Sequence, residues 1–199
     1  MADKFDVALQ KESTKMAAPD KYIKEINYRI NLYADKYNIQ PCVIKKVILQ
    51  ESHVWFRTAG GSFKNVFPDI SEATRARWGI PNQVREYGLM QVYPHYALLD
   101  GFNPKKIMDY DIDENIHAGV YHLRDFFNQM LDHLKKKGVT KWFDIFAFGI
   151  ASYNAGVAGV KNRLVFNANG TLNYAASFVR LPRVPTQGYV TNMLTWEIY

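Results

Sequence analysis

Residues 112–138 read IDENIHAGVYHLRDFFNQMLDHLKKKG, and residues 142–156 read WFDIFAFGIASYNAG. In the first stretch Ile112, Ile116, Gly119, Val120, Leu123, Phe127, Met130 and Leu134 recur at steps of three and four, the spacing of one helix face. Acids at its start and Lys135, Lys136 and Lys137 at its end complement the helix dipole, and Gly138 supplies the stop. This predicts the longest amphipathic helix of the chain. The second stretch is apolar almost all round, with Ala147, Gly149 and Ala151 among large residues, and predicts a central helix buried on all sides. Asn154 and Gly156 end it. Together the two set the class as mainly α.

Upstream, Pro19 and Asp20 open a helix carrying Tyr22, Ile26, Ile30, Tyr33 and Tyr37 on one face, interrupted at Asn38. Pro41 opens the next, with Val43, Ile44, Val47 and Ile48 as its apolar face. From 57 to 86 no period is sustained, and Gly60, Gly61, Pro68, Gly79 and Pro81 mark a long excursion with a short helix near 71–78. Downstream, 157–164 reads as a short helix, NANG at 167–170 as a turn and 186–197 as the last helix. No internal repeat, low-complexity segment or strand ladder stands out. The organisation expected is an N-terminal helical extension, 1–39, followed by one domain, 40–199.

The 199 residues are 48% hydrophobic and 22% charged, a balance that excludes disordered and fibrous chains. A chain of this length can bury roughly 70% of its unfolded surface without staples. The single cysteine, Cys42, excludes an internal disulfide and a Cys-based zinc site. No stretch approaches the ~18 apolar residues of a membrane span. The opening residues, MADKFDVALQKESTK, lack the apolar run of a signal peptide, so the expectation is a protein made without a secretion leader.

Lys and Arg number 25 against 19 Asp and Glu, a formal charge of +6 that attracts polyanions: nucleic acid, anionic membrane or bacterial wall. Charge alone does not choose among them. The densest basic cluster, 135–137, is explained as a helix end, and no zinc-finger, RNP-like or basic-heptad pattern is present, so nucleic acid is not expected. Asp109, Asp111 and Asp113 imitate the start of a calcium loop, but the sixth position is Glu114 and the twelfth Val120. An acidic helix start explains the run better. The five histidines contain no HExxH, and His117 and His122 do not share a helix face. No Walker loop or dinucleotide fingerprint occurs, so neither metal nor cofactor is expected.

Three pieces could carry chemistry. Glu51 lies three residues after Ile48, four after Val47 and seven after Ile44, on the apolar stripe of its helix. There desolvation favours the protonated carboxyl, the form a general acid needs, unless the helix end frays and lets the side chain reach solvent. Gly88-Leu89-Met90-Gln91 is either an ordinary turn or a place where backbone and amide donors meet a ligand. Ala151 to Gly156, with Tyr153 and Asn154 closing an apolar helix, is either a C-cap with a hydrogen-bonded tyrosine or a binding edge. The four tryptophans and 13 tyrosines suit sugar stacking, although most such residues are core.

In order and type these pieces resemble the lytic transglycosylases and goose-type lysozymes, the lysozyme-like superfamily that cleaves bacterial peptidoglycan. The shared elements are Glu51-Ser52 at a helix end, GLMQ at 88–91, Asn115-Ile116-x-x-Gly119 with Leu123, SYNAG at 152–156, and Tyr189-Val190 near the C-terminus. They cover roughly residues 40–195. The resemblance implies a lysozyme-like fold with Glu51 as catalytic acid and base. It implies that Ser52, Met90, Gln91, Tyr153 and Asn154 line a sugar groove, that Tyr189 lies close to the Glu51 carboxyl, and that the Asn115 to Leu123 stretch packs beneath. The departure is the excursion before Gly88, longer than the family's usual loop. Its Arg57, Arg75, Arg77, Arg85, Phe63, Phe67 and Trp78 suggest one wall of the cleft, the alternative being a satellite packed elsewhere.

The activity expected from this likeness is cleavage of the MurNAc-β-1,4-GlcNAc bond without a cofactor. Intramolecular attack by the muramic C6 hydroxyl needs one residue acting as acid and then base, whereas inverting hydrolysis needs a second carboxylate. Goose-type lysozymes have an Asp directly after GLMQV, where this chain has Tyr93. They carry another acid six residues before the motif's glycine, where this chain has Asn82. Asp69, Glu72 and Glu86 remain as substitutes, Glu86 foremost, although an acid in a long loop is ordinarily just solvated. A transglycosylase is therefore expected over a muramidase. The reading outside enzymes is an idle wall-binding or virion component, which would bind sacculi without releasing soluble muropeptides. Phage origin is expected, with virion or lysis-system proteins as partners and delivery to the wall by lysis release or inside a particle.

Overall fold

The computed structural model describes residues 4–16, 18–54, 71–81, 85–182 and 186–195. Among these the protein is mainly α, and its only extended pairings are two isolated bridges, Tyr87 with Val92 and Phe166 with Leu172. No described helix is long and apolar enough to cross a membrane. The chain forms two compact units, Met1–Val120 and Tyr121–Ile198.

In the first unit α1 (Lys4–Ser13), α2 (Pro19–Tyr37) and α3 (Pro41–Ser52) pack against one another. Proline stands in the first turn of α2 and of α3, where its missing N–H costs nothing. Asn38 ends α2 in the left-handed conformation, φ 51°. The expected apolar faces are the buried ones: Tyr22, Ile26, Ile30 and Tyr33 on α2, and Ile44, Val47 and Ile48 on α3. Tyr37 and Val43 are only half-buried. Phe5 and Leu9 of α1 join this core, each large apolar side chain contributing about 1.5–3 kcal/mol on burial.

The short helix expected near 71–78 is α4 (Glu72–Trp78), with Ser71 Oγ accepting from the Thr74 N–H at 3.2 Å and Gly79 ending it at φ 65°. None of its residues is buried. Residues 57–70 and 82–84 of the excursion, with Arg57, Phe63, Phe67, Asp69 and Asn82, lie outside the described residues, and so does the question of a cleft wall.

Then come α5 (Pro94–Leu99) and α6 (Pro104–Met108), two short helices that pack together and that no periodicity announced. The long helix α7 (Ile112–Lys136) follows. Its acidic start is spent on structure. Asp111 Oδ1 accepts from the Glu114 N–H at 2.8 Å, Glu114 Oε1 accepts from the Asn103 N–H at 2.6 Å, and Asp113 takes Tyr33 Oη and, at 3.1 Å, Arg29. One turn on, the His117 ring stacks on Tyr33 at 4.2 Å, and its Nε2 meets both Tyr37 Oη at 2.8 Å and Lys36 Nζ at 2.9 Å. An ammonium can only donate, so Nε2 is the acceptor and the ring is neutral.

In the second unit Met130, Leu134, Ile145, Phe148, Ala151, Val160, Leu181 and Val190 form one core. They come from the end of α7 and from α8 (Trp142–Ala155), α9 (Val157–Lys161), the segment after α10 (Tyr174–Arg180), and α11 (Gly188–Thr195). The expectation that α8 is buried on all sides is corrected at its start, where Trp142 is 61% and Phe143 47% exposed. Its middle, from Ala147 to Ser152, is buried. Gly149 is required there, because a Cβ would overlap the Phe127 ring.

Candidate active site

Glu51 stands in the last turn of α3, half-buried. It is neither sealed within the apolar stripe nor released by fraying, the two alternatives its spacing left open. The neighbouring Ser52 is buried, and its hydroxyl donates back to the Ile48 carbonyl at 3.1 Å. Immediately afterwards the backbone is left-handed twice, at His53 (φ 50°) and Val54 (φ 68°). For a β-branched residue this conformation costs on the order of 1–3 kcal/mol, and such strain collects at functional sites. Val54 is held there by complete burial and by the Tyr22 hydroxyl, which donates to its carbonyl at 3.4 Å.

The GLMQ stretch is the loop of a tight hairpin in the same unit. Tyr87 and Val92 exchange both backbone hydrogen bonds at 3.0 Å. Gly88 has φ 76°, and a Cβ on it would lie 2.5 Å from Asn115 Nδ2, so only glycine fits. Asn115, buried on α7, clamps the loop: its Nδ2 donates to the Tyr87 carbonyl at 2.6 Å and its Oδ1 accepts from the Met90 N–H at 2.9 Å. Met90 is fully buried against Gly119, where any side chain would overlap it. Gln91 is left-handed, φ 49°, and its Nε2 donates to the Gly88 carbonyl at 2.7 Å, closing the turn from inside.

Hairpin register brings the next pair together. Because Tyr87 and Val92 are a hydrogen-bonded pair, Glu86 and Tyr93 are the adjacent non-bonded pair, whose side chains stand close on the opposite face. A hydrogen bond joins them. Glu86 is therefore not the solvated loop acid that its position suggested. Burial pushes its carboxyl above the ordinary range, opposed by the bond from Tyr93. The Tyr93 hydroxyl is pushed up by burial first, then by the Glu86 charge and hydrogen bond, and also by Tyr96 and Glu51. Both carboxyl groups thus act on one hydroxyl. The Tyr93 ring is set edge-on to His95 at 5.6 Å and to Tyr96 at 5.8 Å.

The remaining expected residues belong to the second unit. Tyr153 and Asn154 occupy the last turn of α8, both half-buried. The Tyr153 ring lies 6.5 Å from Phe126, which stacks on His122. Asn154 Oδ1 accepts from Thr186 Oγ1 at 2.8 Å, a partnership that 32 residues of separation conceal in the sequence. Tyr189 is buried on α11, which packs against α8. Among the described residues no three His, Cys, Asp or Glu side chains gather as a metal site would require.

Of the expected residues, then, Glu51, Ser52, Met90 and Gln91 belong to the first unit and Tyr153, Asn154 and Tyr189 to the second. Sequence reasoning placed Tyr93 only as the replacement for an acid. Its signal was register: Glu86 and Tyr93 flank the Tyr87 and Val92 pair symmetrically. Compared with known protein families, residues 29–173 match the family model described as Transglycosylase SLT domain. The span begins within α2 and includes Glu51, the clamped hairpin, Tyr153 and Asn154, while Tyr189 lies beyond it. A search of curated proteins gives no match.

Proposed function

The chain belongs to the transglycosylase SLT domain family, whose substrate class is peptidoglycan, and on that footing we propose that it is a lytic transglycosylase cleaving the MurNAc-β-1,4-GlcNAc bond with Glu51 as its one acid and base. The observation that carries the assignment is the half-buried Glu51 at the end of α3, in charge contact with Tyr93 directly behind the motif hairpin. In the first step the Glu51 carboxyl gives its proton to the glycosidic oxygen as the bond to muramic C1 breaks. The resulting carboxylate then takes the proton of the muramic C6 hydroxyl, whose oxygen attacks C1. The products are a free GlcNAc 4-hydroxyl and a 1,6-anhydro ring, with no water consumed and Glu51 returned to its acid form.

On this reading Tyr153 and Asn154 contact sugar. Ser52, Met90, Gln91 and Tyr189, which the resemblance also assigns to the substrate site, are buried, and they hold the elements that carry it rather than touching the glycan. The muramidase reading keeps one specific support, Glu86, a second carboxyl that shares Tyr93 with Glu51. Glu51→Gln preserves shape but cannot donate and reclaim a proton, so clearance of a cell-wall suspension is expected to fall by about two to four orders of magnitude with the thermal melt unchanged. A variant that clears the suspension at near wild-type rate would remove Glu51 from the chemistry.

A further inference from the structure

The second unit is bare where α8 begins. Among the described residues Val179 and Trp142 are the two most exposed large apolar side chains, and Phe143 is exposed beside Trp142. The two rings are braced from behind. Trp142 lies 5.8 Å from Phe127 of α7 and 6.5 Å from Phe146, while Phe143 lies 5.5 Å from Tyr174 of α10, which stacks on Phe178 next to Val179. Rings already fixed in this way lose little freedom when something lies against them. The face is also basic. Residues 121–198 hold nine Lys and Arg against four Asp and Glu, so five of the chain's six excess positive charges lie in this unit. The connection from α7 into α8, residues 137–141, begins and ends on an exposed lysine, and Lys141 Nζ stands 5.9 Å over the Phe143 ring and 3.9 Å from the buried Asp144. Burial first, then the charges of Lys161, Lys137 and Lys136, hold His133 below its ordinary value, so lysines from the end of α7 and from α9 share one neighbourhood.

We propose that the start of α8 is a second binding site for peptidoglycan, in which Trp142 and Phe143 lie against the faces of sugar rings and Lys136, Lys137 and Lys141 take the carboxylates of the peptide stems. Peptidoglycan carries both of these chemistries on one strand, apolar pyranose faces and regularly spaced acids, and it is the substrate class of this family. Trp142 stands 11 residues before Tyr153 on α8, about 16 Å along the helix axis, so this contact is not the one proposed for Tyr153 and Asn154. A second attachment to the same polymer raises the local concentration of glycan for an enzyme whose substrate is insoluble. The inference rests on the substrate class and not on the role proposed for Glu51.

The test is co-sedimentation of the full chain with purified sacculi, carried out on ice in the Glu51→Gln background so that the wall is not consumed. Beside it, turnover of a short soluble glycan is measured with Glu51 intact. Trp142→Ala and Phe143→Ala are each expected to weaken sacculus binding about tenfold. Lys136→Gln with Lys137→Gln is expected to weaken it about threefold at low salt and not at all in about 1 M salt, where charges are screened within about 3 Å. On the short glycan kcat and KM stay unchanged in every variant, because a soluble substrate gains nothing from a second attachment. Circular dichroism checks folding, and if Trp142→Ala does not fold, Phe143→Ala and the exposed lysine pair decide. Sacculus binding that is unchanged in the ring variants overturns the inference. Ring-dependent binding of phosphatidylglycerol vesicles or of single-stranded DNA, with sacculus binding unaffected, overturns it too, as does a dimer that Trp142→Ala dissociates in sedimentation velocity, since another occupant then holds the face. Muropeptides released by Glu51→Gln would refute the role of Glu51 alone, and the binding comparison on ice still decides this site.

Discussion

Asn115 is the residue through which α7 holds the motif hairpin, and Asn115→Ala tests that directly. The substitution removes the Nδ2 donor to the Tyr87 carbonyl, at 2.6 Å, and the Oδ1 acceptor of the Met90 N–H, at 2.9 Å. Met90 is fully buried, so its N–H loses its partner away from water, at a cost of about 1–3 kcal/mol. The Tyr87 carbonyl keeps the Val92 N–H at 3.0 Å, so its loss is nearer the net value of an ordinary hydrogen bond, about 1 kcal/mol. The total is about 3 kcal/mol. For a chain of this size each kcal/mol lowers the melting temperature by about 2–4 °C, which predicts a fall of about 6–12 °C by circular dichroism. Activity should fall further than stability, because the loop also sets Glu86 and Tyr93, and a displacement of about 1 Å at a reacting centre can cost on the order of a hundredfold. A variant that melts within about 2 °C of wild type and keeps full activity would refute the clamp.

Gly88→Ala places a methyl 2.5 Å from Asn115 Nδ2 on a backbone at φ 76°, and we expect a loss of about 2 kcal/mol, read as a lower urea midpoint. An unchanged midpoint would show that the loop is free to move aside. His117 supplies a pH dependence. Burial first and the Lys36 charge second hold its ring below the ordinary 6.5, against Asp113 and Glu114, and His133 is shifted the same way. The unfolded chain therefore binds more protons just below pH 6.5, so this stability is complete above that value and is lost as the pH falls toward the folded-state value. The urea midpoint should fall from pH 7.5 to 5.5, and less steeply in His117→Gln. Equal slopes in the two proteins would count against the neutral ring.

Long periodicities were legible and short elements were not. The faces of α2, α3 and α7 repeat over enough turns to be read, and Pro41, Asn38 and Gly138 mark their ends at the positions observed. The two short helices α5 and α6 offer too few turns for a period to show, and their cues are the prolines at their starts. At α8 the apolar composition concealed that Trp142 and Phe143 face outward, since composition carries no direction. At the candidate site, type and order located Glu51, GLMQ and the Asn115 stretch. Pairing was the hidden part. That Glu86 meets Tyr93 follows from a six-residue hairpin whose register is fixed only once Asn115 and Gly119 seat the loop. Likewise the contact of Asn154 with Thr186 depends on where α8 and the start of the last helical segment meet, which no local pattern encodes.

The reaction itself is tested most directly by the mass of what it releases. Purified sacculi digested with the wild-type protein are expected to yield soluble muropeptides ending in 1,6-anhydro-MurNAc, each one water lighter than its reducing-end counterpart, and Glu51→Gln is expected to release none. Predominantly reducing-end products, lost on Glu86→Gln, would contradict the single-residue mechanism, and intact sacculi that bind the protein without releasing anything would contradict the catalytic assignment altogether.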